Sequence, residues 1–471
     1  MNLGQFHSQR CFPWNLYIRL FSAIHCEGLN SDPQSYPPYF TLYLEIFLRR
    51  VLSCIFTRVT TKLRSLNMYL KHYLAALLLV RVSFSQDCST SQSAVDPFQI
   101  FTISANNITA KFIPYGARLI SLLVPDRDGN MQDVVVGYDD PRQYLNDTES
   151  SHTYFGAVIG RVANRIKNGT FILDGTEYHI PKNHKGLYTL HGGDIAYDQR
   201  NWTVSAITSS SVTFTLYDAA TEGFPGDVVT HAMFSVVSKR NAENLEGLPR
   251  LTTKLVSMAL TEPTPIMLSN HIYWNLNGFK RQTILNDTWL QLPLSERFIA
   301  TDRLLVPDGS ISTVAGTNQS AMDFTAGKII GQDIQDTEGL CGPGCVGYDN
   351  CFIIDRDPLY SAASDGLVPS LRLNSSTTGI SMEVATNQPA VQFFTCLNMD
   401  GTIPVKASQV ERNTRQKDAA EFVEKYGCLA IEPEGWIDGV NNQQWGQKSN
   451  IIYTPEGRPA VNLAQYTFGT V

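Results

Sequence analysis

Near its C-terminus the chain carries AIEPEGWIDGVN, residues 430–441, where Glu432, Glu434 and Asp438 crowd beside a tryptophan and two glycines. Earlier, LSNHIYWNLNG at 268–278 brings Asn270, His271, Tyr273, Trp274 and Asn275 close together. A carboxylate and an imidazole are the residue types of general acid–base proton transfer. Aromatic surface beside amides suits a sugar, because rings stack on C–H faces while amides bond hydroxyls. On a strand, His271, Tyr273 and Asn275 would share one face.

Four further stretches place polar residues among apolar ones. In GRVANRIKNGTF (160–171), Asn164 and Arg165 either pair internally or point into a cleft. In LHGG (190–193), Gly192 and Gly193 allow close backbone approach beside His191, which on its own reads more often as a structural histidine. VGYDNCFIID (346–355) and QPAVQFFTC (388–396) set Asp349 and Gln392 among apolar strand residues, where a buried carboxylate needs a partner. CGPGC at 341–345 is read as a loop disulfide or free thiols, since no second Cys/His pair of suitable spacing follows to complete a zinc site. No metal is expected.

The elements that must position these residues read as β. From about residue 97, short segments rich in Val, Ile, Thr, Phe and Tyr alternate with Gly, Asp and Asn turns. In GTFILDGTEYHIP, Phe171–Leu173 and Glu177–Ile180 flank Asp174-Gly175, a pair suited to a tight hairpin. SLRLNSS and GISMEVAT form a similar pair. One segment, RQKDAAEFVEKYG at 415–427, reads as helical, with Gly427 as its stop. No linker or repeat divides residues 97–471, so the expectation is one large all-β domain, a sandwich rather than a small barrel.

The chain has 471 residues, 43% hydrophobic and 17% charged, enough for a large core. A net charge of -7 without a basic stripe argues against a nucleic-acid partner. The charge is uneven: residues 1–86 hold nine Lys/Arg and three Asp/Glu, net +6, leaving -13 for the remainder. From Met68, MYLKHYLAALLLVRVSFSQDC sets Lys71 before an apolar run and small residues after it, as in a secretory signal peptide over 68–86. A buried strand or helix is the alternative. Residues 1–67 form an extension of uncertain place in the mature protein, and its apolar stretch is too interrupted by Glu45, Arg49 and Arg50 for a stable membrane span. Secretion would fit the sequons at Asn107, Asn146, Asn168, Asn201, Asn286, Asn318 and Asn374. It would also permit disulfides among Cys88, Cys341, Cys345, Cys351, Cys396 and Cys428.

Taken together and in order, the clusters resemble the aldose 1-epimerase, or galactose mutarotase, family, from YGARLISLLVPDRDG at 115 to WIDGVN at 441. Its Gly-Arg-x-Ala-Asn-Arg-Ile pattern is met by Gly160–Ile166, its Leu-His-Gly-Gly by 190–193, and its Asn-His-x-Tyr-Trp/Phe-Asn-Leu by Asn270–Leu276. Gly223–Gly226, Tyr348-Asp349 and Val391–Phe393 also fit. The resemblance implies a β-sandwich of the galactose mutarotase type, His271 as general acid, Glu432 as general base, and Asn164, Arg165, His191, Asp349 and Gln392 as sugar-binding residues. The family's C-terminal motif, Glu-x-Gln-x-x-Pro-Asp-Ala-x-Asn, is altered here: Glu434 replaces Gln, Ile437 replaces Pro and Gly439 replaces Ala.

That chemistry needs no cofactor. A base removes the O1 proton while an acid protonates the ring oxygen; rotation in the open aldehyde and reclosure give the other anomer. His271 would have to be protonated and Glu432 ionised at the start. Three other readings stay open at this point: a secreted sugar-binding protein without turnover, a sugar-phosphate epimerase wanting extra Arg or Lys, and a glycoside hydrolase using Glu432 and Glu434 as its two carboxylates.

Overall fold

The computed structural model describes residues 95–240, 244, 246–315, 320–356 and 366–471. The segments read above at 1–67 and 68–86, together with Cys88 and Asn318, lie outside the described residues.

Strands Asp227–Val237 and Ala460–Thr470 alternate buried and half-buried residues along nearly their whole length. This is the period-two pattern of a strand with one face on the core. Both belong to a nine-stranded antiparallel sheet in which the C-terminal strand Ala460–Thr470 inserts between Arg250–Ala259 and Ile380–Thr386. Val368–Ser375 pairs with Ile380–Thr386 as SLRLNSS and GISMEVAT suggest. The expected hairpin also forms: Thr170–Leu173 pairs with Thr176–His179, and Asp174 and Gly175 both take positive φ.

The second sheet has six strands, ordered Ile272–Trp274, Leu429–Glu434, Ala390–Phe394, Asp349–Ile353, Arg297–Thr301 and Pro307–Thr313. Leu429, Ile431, Val391, Phe393 and Phe352 join Leu255, Ala464 and Tyr466 of the larger sheet in one apolar core, the filling of a β-sandwich. The central strands of this second sheet are buried on both faces; in Leu429–Glu434 all six residues are buried. Since side chains alternate, Glu432, Gln392 and Asp349 face away from that core, and all three line a cavity.

The helix expected over 415–427 is absent. Its backbone donors are taken by neighbouring loops: Ala420 N–H bonds Phe279 O at 2.9 Å and Val423 N–H bonds Ile403 O at 2.8 Å. Ala420 and Val423 instead join the buried apolar cluster that also holds Tyr273, and the segment leads into Cys428, which is disulfide-bonded to Cys396. Tertiary contacts override a local propensity that is worth only tenths of a kcal/mol per residue. The short helix of this region is Ala407–Arg412. Among the described residues no helix is long and apolar enough to cross a membrane.

Candidate active site

The register of the smaller sheet places the first pair of site residues. Gln392 stands opposite Glu432 on one side and opposite Cys351 on the other, so the two polar side chains project together from neighbouring strands. Asp349, at the start of its strand, receives Gln392 Nε2 at 2.6 Å.

His271 sits between two short pairings, Ser269–Asn270 with Val158–Ile159 and Ile272–Trp274 with Leu429–Glu434. Its backbone N–H donates to Ala157 O at 2.8 Å, and its carbonyl accepts from Gly156 N–H at 2.9 Å. The ring stacks near Tyr273, with centroids 4.9 Å apart, and near Tyr154 at 5.8 Å, while His191 meets it edge-on at 5.0 Å. His271 and Tyr273 therefore share a face as expected. Asn275 does not join them: it lies past the strand, donating to Gly427 O at 2.7 Å and accepting from Phe279 N–H at 3.3 Å, a scaffolding role.

The Gly160–Ile166 segment divides its two arginines. Arg161 is buried and fixed by Asp218, Pro225 O, Gly226 O and Thr264; Pro225 and Gly226 end the Gly-Phe-Pro-Gly stretch. Arg165 turns to the cavity, bonding Asn164 Oδ1 at 3.1 Å and Asp349 Oδ2 at 3.3 Å. Asn164 holds a left-handed backbone, φ 58°, and its N–H donates to His191 Nδ1 at 3.1 Å. This leaves the hydrogen of neutral His191 on Nε2. Beside it, Gly192 cannot be replaced without strain: its φ is 102°, and a Cβ there would lie 2.2 Å from Gly160 O.

All seven residues singled out in the sequence, Asn164, Arg165, His191, His271, Asp349, Gln392 and Glu432, line this one cavity of ≈ 500 Å³. At its floor His271 Nε2 lies 3.3 Å from Glu432 Oε1, both side chains almost wholly buried. Sequence reasoning missed His152 and Tyr154, which stack on each other and line the same wall. Both take positive φ, a backbone choice that no local glycine announces.

Burial governs the charges. It pushes Glu432 well above the usual carboxyl range, with Glu434 and Asp349 adding repulsion and Arg165 pulling back. It pushes His271 down to about 3. Burial thus favours a proton on Glu432 and a neutral His271, the reverse of the charge distribution expected from sequence. The proton count is unchanged: one proton serves the pair in either distribution. His191 is likewise held neutral by burial, then by His271 and Arg165.

Glu434 does not line the cavity. It lies fully buried behind Asn164, whose Nδ2 donates to its Oε1 at 2.8 Å, and burial raises it to about 8. Asp438 acts as a turn anchor, accepting from Lys167 N–H at 3.1 Å and Asn441 Nδ2 at 2.7 Å. His191, His271 and Glu432 also present ligand atoms within 4.8 Å of one another, but the tautomer fixed at His191 places a hydrogen on Nε2, the nitrogen that remains to ligate.

Comparison with known proteins places the sequence and the fold. The sequence profile of the family described as aldose 1-epimerase matches residues 99–455. A probable aldose 1-epimerase of Arthroderma benhamiae is 54% identical over 82% of this chain and 89% of its own length. The galactose mutarotase of Mus musculus is 28% identical over 73% of this chain and 87% of its own. Among solved structures, an aldose epimerase homologue from C. elegans superposes with a TM-score of 0.64 at 26% identity, covering 79% of this chain and 99% of that one. By sequence profile and by relatives the chain belongs to the aldose 1-epimerase family.

Proposed function

We propose that the protein interconverts the α and β anomers of aldohexoses such as glucose and galactose, with Glu432 and His271 moving the protons. The observation that carries this reading is the pair itself: one carboxyl and one imidazole, 3.3 Å apart, at the floor of a cavity walled by hydrogen-bonding groups. As the C1–O5 bond breaks and the C1=O1 bond forms, the O1 proton passes to Glu432 and O5 takes a proton from His271; reclosure on the other face reverses both transfers. The required distribution, charge on Glu432 and proton on His271, is one proton shift away from the resting one. The Arg165 guanidinium, which already lowers Glu432, favours it. Arg165, Asp349, Gln392, Asn164 and His191 orient the sugar hydroxyls.

The hydrolase reading loses its second carboxylate, because Asn164 covers Glu434 and Arg165 pairs with Asp349. The test is polarimetry of freshly dissolved α-glucose and α-galactose with wild type, Glu432→Gln and His271→Asn. Acceleration by wild type alone is expected; sugar binding without acceleration would favour a lectin-like protein instead.

We also propose that the protein is secreted and glycosylated. Two disulfides, Cys341–Cys345 and Cys396–Cys428, suit an oxidising compartment, and Asn107, Asn146, Asn168, Asn201 and Asn286 are exposed. Mass spectrometry of the protein from culture medium, before and after deglycosylation, gives the mature N-terminus and the occupied sites. An intracellular product retaining residues 68–86 would overturn this.

A further inference from the structure

The active-site cavity is not closed at its Arg165–Asp349 wall. A second bay of ≈ 440 Å³ adjoins it and shares Arg165, His184, Asp349, Phe394 and Asn398 with it. Each cavity alone falls within the roughly 300–1,000 Å³ of small-molecule sites, so together they exceed what one monosaccharide needs. The bay's chemistry differs from that of the first cavity. Lys185, Arg303 and Lys425 line it and are exposed, and none has a carboxylate partner among the described residues. Among the described residues the only acidic side chain lining it, Asp349, is already paired with Arg165. In a chain of net charge -7 this is a local cationic surface.

Aromatic and apolar side chains line it as well. His184 and Tyr188, stacked on each other at 4.9 Å, both border the bay, and Leu187 and Leu304 present exposed apolar surface in it. The short loop closed by the Cys341–Cys345 disulfide also lines the bay, and the crosslink restrains that part of its wall.

Resting on the mutarotase reading above, we propose that this bay is a second saccharide subsite. It takes the penultimate, carboxylate-bearing unit of an acidic oligosaccharide whose reducing-end aldose lies over His271 and Glu432. No glycosidic bond is touched; the enzyme equilibrates the anomers of the reducing end while Lys185, Arg303 and Lys425 meet the carboxylate of the next ring. Lys and Arg reach a carboxylate through flexible, exposed stems, so the gain is in affinity and salt dependence rather than in the chemical step.

The test is exchange NMR at anomeric equilibrium, which reads α–β interconversion of any reducing sugar without a pure anomer. The probes are D-glucose, D-galacturonic acid, cellobiose and digalacturonic acid. Expected is a kcat/KM for digalacturonic acid about tenfold above both galacturonic acid and cellobiose, equivalent to ~1.4 kcal/mol, and falling with added salt. In a Lys185→Ala, Arg303→Ala, Lys425→Ala variant the preference disappears while glucose interconversion is unchanged. Equal values for galacturonic and digalacturonic acid, equal values for cellobiose and digalacturonic acid, or a preference that survives the triple variant would each overturn the subsite. Failure to accelerate glucose would overturn the mutarotase reading itself.

Discussion

Asn164 Nδ2 donates to Glu434 Oε1 at 2.8 Å, while the oxygen on the other side of that carboxyl, Oε2, is buried without a partner. Asn164 in turn accepts from Arg165 and fixes His191. A titratable group therefore stands one residue removed from the cavity, two positions along the strand from Glu432, where the family pattern has a neutral amide. A glutamine would keep the bond to Asn164 and lose the charge. Glu434 is thus a positioning residue that also couples the site to pH.

This makes Glu434→Gln informative for stability. Burial raises Glu434 from 4.5 to about 8 in the folded state, so between those values the folded protein holds a proton that the unfolded chain releases. Stability from this group is fully present below about pH 4.5 and is lost as pH rises toward 8, at up to roughly 1.4 kcal/mol per pH unit. Thermal melts from pH 5 to 8 should fall less steeply for Glu434→Gln than for wild type. Parallel Tm profiles would show that Glu434 does not hold the extra proton.

The proposed pair of His271 and Glu432 predicts its own pH window. His271, neutral in the folded site down to about 3, gains a second proton for the pair only in strong acid, and Glu432, raised well above its ordinary value by burial and by Glu434 and Asp349, loses the single proton at a higher pH than a free carboxyl. The profile of kcat/KM should be broad, its acid limb lying far below the usual histidine range. Glu434→Gln should move the alkaline limb to lower pH, since above about 8 the native carboxylate repels charge on Glu432. Glu432→Gln and His271→Asn should each lose about 10²–10⁴-fold in rate, as for removal of a general acid or base. An acid limb near pH 6.5 would mean that His271 is far more solvated than its burial implies.

How much of this was legible in the sequence follows from range. His271, Glu432, Arg165 and Asp349 sit in short motifs that are weak one by one, and it is their shared order, resembling that of the family, that names them. Gln392 can be named in the same way, but that it faces Glu432 depends on strand register, which no local pattern states. His152 and Tyr154 went unread because their place on the cavity wall depends on two left-handed backbone positions. The preference for a proton on Glu432 depends on burial from several strands at once, and the helix expected at 415–427 is absent because carbonyls of 279 and 403 take its backbone donors.

Gly192 tests whether the loop geometry matters to the chemistry. With φ at 102° and Gly160 O 2.2 Å from where a Cβ would be, Gly192→Ala must shift either the Gly160 backbone or His191. Backbone strain of this kind costs about 1–3 kcal/mol. A lower Tm together with a raised KM is expected, because the ring displaced is one that lines the cavity. A variant with both values unchanged would show that the loop has slack that the structure does not display.

The two disulfides should separate in their effects because they close loops of very different length. Cys396 and Cys428 are 32 residues apart, for which chain entropy in the unfolded state gives roughly 3–4 kcal/mol. Cys341 and Cys345 are four apart, and the same reasoning gives less. Cys396→Ser with Cys428→Ser should therefore lower the urea midpoint strongly, the more so since both positions are buried and pack beside Tyr273, which stacks on His271. Cys341→Ser with Cys345→Ser should cost less stability, yet it loosens the wall of the cationic bay, so its larger effect should be on KM for an acidic disaccharide and not for glucose. Urea unfolding followed by tryptophan fluorescence, with the exchange measurement on both sugars, distinguishes the two. Equal losses of stability from the two pairs would show that loop length does not set their contributions.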